Sequence, residues 1–426
     1  MIAIYAPYYS NRLNYILNYI FKQQYGLEYN VFSTLEPFIS SENIKINYSE
    51  IWIENTFNIT PSGLLFENNI VEQPVIVSGM ADFKIIFKTE NDYLGFDIFS
   101  AVFYCLSRYE EYTCQNKDTH GRFSHTDSFA YKNNCLDLPL VDIWLQYLSS
   151  KLKIKTTHQT EFTITPTMDI DAVFAYNGRN IRRQIAGFGK SLFTFNFQEF
   201  FKRIKVVFLS KKDPNNNFEY QIETFKKHNL KAHYFIQVGA HGAFDKNISL
   251  QNKAFQEIIL NLKKEGHSIG LHPSYNSHKK IQILKNEKEI LETILLEKIS
   301  NSRQHYLKME LPRTYQNLIE LGIKKDFSMG YSQVSGFRAG TSQSFFWYDL
   351  SQELETSLEI VPFCAMDVMY KQFLGLNIED TLALSEKIKS NLKSIKGQFC
   401  FVFHNESLSE HRGWQCWRKV FEKWLI

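Results

Sequence analysis

From residue 162 onward the chain repeats short β-type runs separated by helical stripes, and this rhythm restricts the fold more than any other feature. The pattern predicts seven strands, at 162–166, 232–238, 267–272, 305–309, 327–331, 358–363 and 399–404. Strands that alternate with helices need crossover connections, and crossovers produce a parallel sheet. Phe255, Ile258, Ile259 and Leu262 mark one such helix by their recurrence at i, i+3, i+4 and i+7, and Gly266 stands where it would end in a left-handed residue. Pro312 suits a first helical turn before RTYQNLIEL, and Gly322 follows that segment.

A length of 426 residues exceeds what one core usually holds, so two domains are expected. Residues 1–157 read as a smaller α/β domain of unknown role, and 158–426 carry the strand–helix repeat; the polar stretch THQTE marks the boundary. The first part predicts strands at 1–5 and 74–79, a helix at 14–21 and an amphipathic helix at 97–112. That last helix puts Ile98, Val102, Cys105 and Tyr109 on one face, with Arg108, Glu110 and Glu111 elsewhere.

Hydrophobic residues at 44% place the chain among globular proteins, and a formal charge of +3 gives no field suited to nucleic acid. The six cysteines show no CxxC spacing, which predicts reduced thiols. Polar residues interrupt every apolar run of the first 25 residues, and no run reaches the roughly 18 apolar residues of a membrane span. A cytoplasmic protein is the simplest expectation; oligomeric state is not specified.

Between the first two predicted strands lies a long insertion in which Arg179, Arg182, Arg183, Lys190, Lys202, Arg203, Lys205, Lys211 and Lys212 face only Glu199. A basic amphipathic stretch of this kind can lie on an anionic membrane or contact an acidic glycan. The plainer reading is a solvated helical cap.

The chemistry-bearing strings sit at predicted strand ends. TPTMDIDAVFAY places Asp169 and Asp171 two apart, on the same side of an extended chain, so one carboxylate could bind a divalent metal while the other removes a proton from water. EGHSIGLHPSYNS supplies His267 and His272, and RQHYLK, DFSMGY, GFRAGT and FCFVFHNES add polar groups at further strand ends. In a (β/α) barrel the loops beyond the strands' C-terminal ends converge on one mouth. Taken singly, each residue has a structural alternative: Asp169 and Asp171 can cap a turn, His272 can precede a proline turn, and His404 can close a strand. Trp414, Trp417, Phe421 and Trp424 have the spacing of a helix packed on the core. His120 and Arg122, in HGRF, carry no reading from sequence.

Over these strings, from about Phe162 to the C-terminus, the chain resembles the NodB-type polysaccharide deacetylases, carbohydrate esterase family 4, and particularly members with an extra N-terminal domain. The resemblance implies a distorted seven-stranded (β/α) barrel with a smaller N-terminal α/β domain. It also implies that Asp169 is the catalytic base, Asp171 and His272 are metal ligands, and His404 at the end of CFVFH is the general acid. Arg303 in RQHYLK and Asp326 in KKDFSMGY would orient the base and the acid. The family's second metal histidine, four residues beyond His272, is Asn276 here; its amide oxygen is a weaker ligand, and His278 is an alternative donor. Arg338 and Tyr275 are candidates for the substrate groove, as is Asp367.

The expected activity is removal of N-acetyl groups from an amino-sugar polysaccharide or cell-envelope glycan precursor, with a divalent metal, zinc by preference, as cofactor. Two alternatives stand beside it. One is an inactive, carbohydrate-binding or scaffold protein that lost the metal, suggested by Asn276. The other is a hydrolase of a different amide, such as a small cyclic one, since fold does not fix substrate.

Overall fold

The computed structural model describes residues 1–80, 83–90, 92–156, 161–246 and 248–426. The expected boundary at 157/158 lies outside the described residues. Four short strands, β1 (Ile2–Tyr5), β2 (Tyr29–Phe32), β3 (Ile44–Tyr48) and β4 (Phe57–Ile59), form a parallel sheet in the order β2-β1-β3-β4. A small antiparallel hairpin, β5 (Ser78–Met80) with β6 (Phe83–Ile85), follows.

The larger sheet contains nine strands: β7 (Thr163–Ile170), β8 (His233–Ile236), β9 (Ser268–Leu271), β10 (Asn301–Ser302), β11 (Lys325–Asp326), β12 (Phe345–Asp349), β13 (Leu354–Ile360), β14 (Ala365–Met366) and β15 (Gln398–His404). Their order is β12-β13-β11-β10-β9-β8-β7-β15-β14. All pairings are parallel except β12 with β13, which form a hairpin.

Two of the seven anticipated strands therefore sit earlier and are shorter than their apolar runs suggested. The segments at 305–309 and 327–331 leave the sheet because β10 and β11 end at Ser302 and Asp326, and His305–Leu307 turns into a 3-10 helix. β12 and β14 went unrecognised.

A small apolar cluster draws together residues from strands far apart in the sheet order: Phe235 of β8, Phe327 beyond β11, Phe363 beyond β13, and Cys400 and Val402 of β15. The segment after β13 bonds both to the chain beyond β11 and to β15. Phe363 N–H donates to the Met329 carbonyl at 3.1 Å, and Cys364 N–H donates to the Cys400 carbonyl at 3.0 Å. Gly270 in β9 leaves room for the Phe235 ring of this cluster, because a Cβ there would stand 2.7 Å from it.

Helices cover the outer face as their stripes predicted. Lys253–Lys264 buries Phe255, Ile259 and Leu262, and Gly266 follows with φ of +82°. The aromatic stripe at the C-terminus is core: Trp417, Phe421 and Trp424 of the helix Trp417–Trp424 pack on Phe403.

The first part is bound to the second by buried ions. The amphipathic helix expected at 97–112 divides into Ile98–Leu106 and Tyr109–Thr113, because Arg108 takes φ of +57°. That kink folds its guanidinium back onto Glu110 and Glu111, both at 2.8 Å. Arg338 Nη2 reaches Glu111 from the other side at 2.6 Å, and all four side chains are buried. Arg338, expected in a substrate groove, is thus a clamp between the two parts of the chain. Elsewhere Arg12 of the helix Asn11–Leu17 holds Glu353 in the β12–β13 turn, Nε to Oε2 at 2.9 Å.

Burial alone would raise the Glu111 carboxyl, but the charges of Arg338 and Arg108 outweigh it and hold it at about 2. With an ordinary value of 4.5, this carboxylate contributes stability above that pH, and the contribution is lost as pH falls through about 2. Replacing Arg338 with Ala removes one of the two cations that answer the buried Glu111 and leaves it to Arg108 alone, which should destabilise the fold by about 2–3 kcal/mol, measured by denaturant unfolding at neutral pH. The deficit relative to the parent chain should shrink as the pH is lowered from 4.5 toward 2.

Candidate metal centre and active site

The site forms where β7, β9 and β15 end. Parallel pairing sets His404 of β15 opposite Asp169 of β7, and Asp171 continues from β7 on the same side. His272, one residue past β9, projects toward both carboxylates: its Nε2 lies 3.1 Å from Asp171 Oδ1 and 3.9 Å from Asp169 Oδ2. His305, in the turn after β10, brings Nε2 to 3.4 Å from Asp171 Oδ2.

Asp171, His272 and His305 each offer one donor atom, and these atoms lie within 4.8 Å of one another. The ring nitrogens facing away define which atoms are free. His272 Nδ1 is 2.6 Å from the Arg303 carbonyl, an acceptor, so Nδ1 donates there and Nε2 is the atom that faces the carboxylates and is left to serve a metal. His305 Nδ1 lies 2.8 Å from Asp245 Oδ1, and Asp245 is fixed in turn by the Tyr275 N–H at 3.0 Å. A histidine braced by a carbonyl or carboxylate on its far nitrogen is the usual arrangement around a metal.

The set also fits a cation in its charges. Asp171 Oδ1 is buried and receives no hydrogen bond, though an imidazole nitrogen stands close by. Its carboxyl is held well below the usual range: burial works the other way and is outweighed by the neighbouring His305, with His272 and His404 adding to the effect. His305 is pushed up to about 9, because the Asp171 and Asp245 charges overcome its burial. In a metal-bearing site, the cation takes the place of that proton between the same groups. One carboxylate and two imidazoles suit a divalent ion such as zinc, with open positions for water and substrate.

Two braced groups flank this centre. Arg303, fully buried, donates from Nη1 to Asp169 Oδ1 at 2.9 Å and from Nε to the Phe327 carbonyl at 2.9 Å. Its guanidinium lies over the rings of Phe235 at 4.7 Å and Phe363 at 5.4 Å. His404 Nδ1 lies 2.8 Å from Asp367 Oδ1, and its backbone N–H donates to Oδ2 at 2.7 Å. The Asp367 charge overcomes burial and raises His404 to about 10.

The expected residues therefore divide. Asp169, Asp171, His272 and His404 line one cavity of about 250 Å³, with Arg303 directly behind Asp169. Asn276 is exposed in the turn before Ser277–Lys279 and does not line the cavity; the third donor is His305. His278 faces the Tyr275 carbonyl instead, and His267 accepts the Ala232 N–H at the opposite end of β9.

Asp326 does not support His404. It is fully buried, accepts from Ser302 Oγ at 2.8 Å and Ser328 N–H at 2.9 Å, and leaves the histidine to Asp367. Tyr275 lies behind the rim rather than on the cavity wall, stacked 4.0 Å from Phe244.

The N-terminal part enters the site through HGRF. His120 and Arg122 line the cavity, and His120 Nδ1 shares a 3.0 Å hydrogen bond with the Tyr275 hydroxyl. Arg122, paired with Asp118 at 2.7 Å, donates to the Tyr306 carbonyl. Tyr306 and Leu307 both have positive φ, at +59° and +51°, so the turn that carries His305 holds a strained backbone that Arg122 helps to fix. Trp414, Phe373 and Met366 supply apolar wall, and Gln304, Gln333 and Gln372 supply amides.

Residues 2–157 match the model of a family of unknown function (DUF7033). No curated protein matches the chain. Among solved structures the chain is similar to a polysaccharide-deacetylase-type protein of Mycobacterium smegmatis, at 13% identity over 64% of this chain and 85% of that one, with a TM-score of 0.39. It is also similar to Puue allantoinase, at 10% identity over 61% and 82% with a TM-score of 0.40. A third is a carbohydrate esterase family 4 pseudoenzyme from Bacillus anthracis, at 9% identity over 62% of each chain with a TM-score of 0.32. At these values the chemistry is read from the side chains themselves.

His305→Ala should abolish stoichiometric binding of zinc or another divalent ion, while Asn276→Ala should leave it unchanged; elemental analysis after dialysis reads both. Arg122→Ala should weaken metal affinity by about 10-fold or more, the usual consequence of losing a group that orients a ligand.

Proposed function

We propose that the chain is a metal-dependent amide hydrolase of the polysaccharide deacetylase kind, built on a barrel-type sheet, that removes N-acetyl groups from an amino-sugar glycan. The observation that carries this reading is the convergence of Asp171, His272 and His305, two of them braced from behind, between Asp169 on Arg303 and His404 on Asp367.

A divalent ion held there would supply Lewis acidity, polarising a carbonyl and making water a better nucleophile. Asp169, with Oδ1 pinned by Arg303, has Oδ2 turned toward the centre to accept the proton of the attacking water. His404 is protonated near neutral pH because Asp367 stabilises the imidazolium, so it can protonate the departing nitrogen. Its Nε2 stands 4.0 Å from Asp171 Oδ2, beside the centre. The aromatic rings of Trp414 and Phe373, with the glutamine amides of the cavity wall, suit the apolar faces and hydroxyls of a sugar. Products would be acetate and a free amine.

The alternative, a carbohydrate-binding or scaffold protein that lost the metal, was suggested by Asn276 at the place of a second ligand histidine; the imidazole of His305 beside Asp171 and His272 supports metal binding instead.

Acetate release from N-acetylated chito-oligosaccharides tests the proposal. Asp169→Asn and His404→Ala should each lower kcat by about 10²–10⁴-fold with metal retained. Undiminished release in Asp169→Asn would overturn the assignment. A chain that binds glycan but takes up no divalent metal would select the scaffold reading.

A further inference from the structure

The basic insertion forms a helical hairpin, Ile181–Phe193 and Phe197–Val207, that buries Val206 but leaves many of its large apolar residues exposed. Phe188 holds the two helices together against Phe200 and Phe208, with ring centroids 5.5 and 6.0 Å apart. Val206 and Val207 pack on Ala175 and Tyr176, and most of the other large apolar residues are exposed. Ile181, Ile185 and Leu192 form an exposed stripe on the first helix, and Phe197 and Phe201 form another along the second. At the turn between them, Phe193 is 90% and Phe195 78% exposed.

An amphipathic helix normally turns its apolar stripe to the core, and an outward stripe this long marks a surface that another body covers. Charge identifies that body. Residues 179–212 hold nine arginines and lysines against the single carboxylate of Glu199, and Arg182, Lys190, Lys205, Lys211 and Lys212 are exposed. Self-association through a two-fold axis would bring these cations together, whereas anionic lipid headgroups match them. Among the described residues no helix is long and apolar enough to cross a membrane, so the contact would be interfacial, with rings in the headgroup boundary.

The hairpin also stands beside the cavity. Glu199 at its base meets the Tyr176 hydroxyl at 3.0 Å, His411 Nε2 at 3.1 Å and Arg412. The same 405–416 loop contributes Glu406 and Trp414 to the cavity wall.

We propose that this hairpin docks the protein on an anionic membrane surface, with Phe193, Phe195 and Phe197 inserted and the flanking lysines on headgroups, so that the metal-centre cavity works next to that surface. Docking is independent of the hydrolase reading, and its test requires no turnover.

Co-sedimentation of the full chain with phosphatidylcholine vesicles, with and without phosphatidylglycerol, tests it. The chain should pellet with the anionic vesicles at least about tenfold more tightly, and Lys190→Gln with Lys205→Gln should weaken this by roughly tenfold or more, given the contribution of each surface cation. Phe193→Ser, Phe195→Ser and Phe197→Ser together should abolish pelleting while leaving the unfolding temperature and bound metal unchanged. Equal binding to both vesicles, or full binding by the triple serine variant, would overturn the proposal. So would a lipid-free dimer that the triple variant dissociates without any vesicle binding, which assigns the face to a second copy. Binding of polygalacturonate with none of vesicles would assign it to an acidic glycan instead.

Discussion

The parallel register of β15 on β7 is the constraint from which the site follows. Seven consecutive pairs, from Gln398 with Thr163 to His404 with Asp169, align an imidazole with a carboxylate on one side of the sheet. A slip of one residue would turn every side chain of that strand to the other face, leaving Phe403 where His404 stands. The packing guards against this, because Phe399, Phe401 and Phe403 all contact Trp424 on the outer face. The apolar outer residues of β15 and the position of its histidine are therefore one specification.

Around that register the protein buries charge in compensated groups. Arg303 is enclosed by aromatic rings and answered by Asp169; Arg338 and Arg108 share Glu111; His404 rests on Asp367. Each is costly to break and gives modest net stability when intact, so their value lies in fixing side-chain positions. Thr167 Oγ also receives the Arg303 Nη1 at 2.6 Å, which joins the guanidinium to the same strand as the carboxylate it orients.

Much of the site was legible in the sequence because strands place it. Asp169, Asp171, His272 and His404 lie at or just beyond the ends of strands, where side-chain alternation and convergence at one sheet end were foreseeable. His305 was not, although it stands two residues after Arg303: the run beginning there reads as a strand, whereas the backbone has already entered a 3-10 turn with positive φ. Asp326 and Asp367 each stand at or just beyond the end of a short strand, β11 and β14, and only the three-dimensional arrangement decides which one meets the histidine. The inner role of Glu111 was hidden by the kink at Arg108, which an uninterrupted helical periodicity does not announce. The contribution of His120 and Arg122 is a tertiary contact across more than 150 residues, beyond any local pattern.

The strained turn carrying His305 has its carbonyl held by an arginine from far upstream, and the Arg338 guanidinium likewise finds its counter-ion among the first 130 residues. A fragment starting near residue 161 would keep every ligand and every strand of the large sheet. It would also carry an orphaned cation in an apolar wall and a ligand loop missing one of its outside restraints. The two parts of the chain thus share responsibility for one cavity, and the earlier part serves as its scaffolding rather than as an appendage.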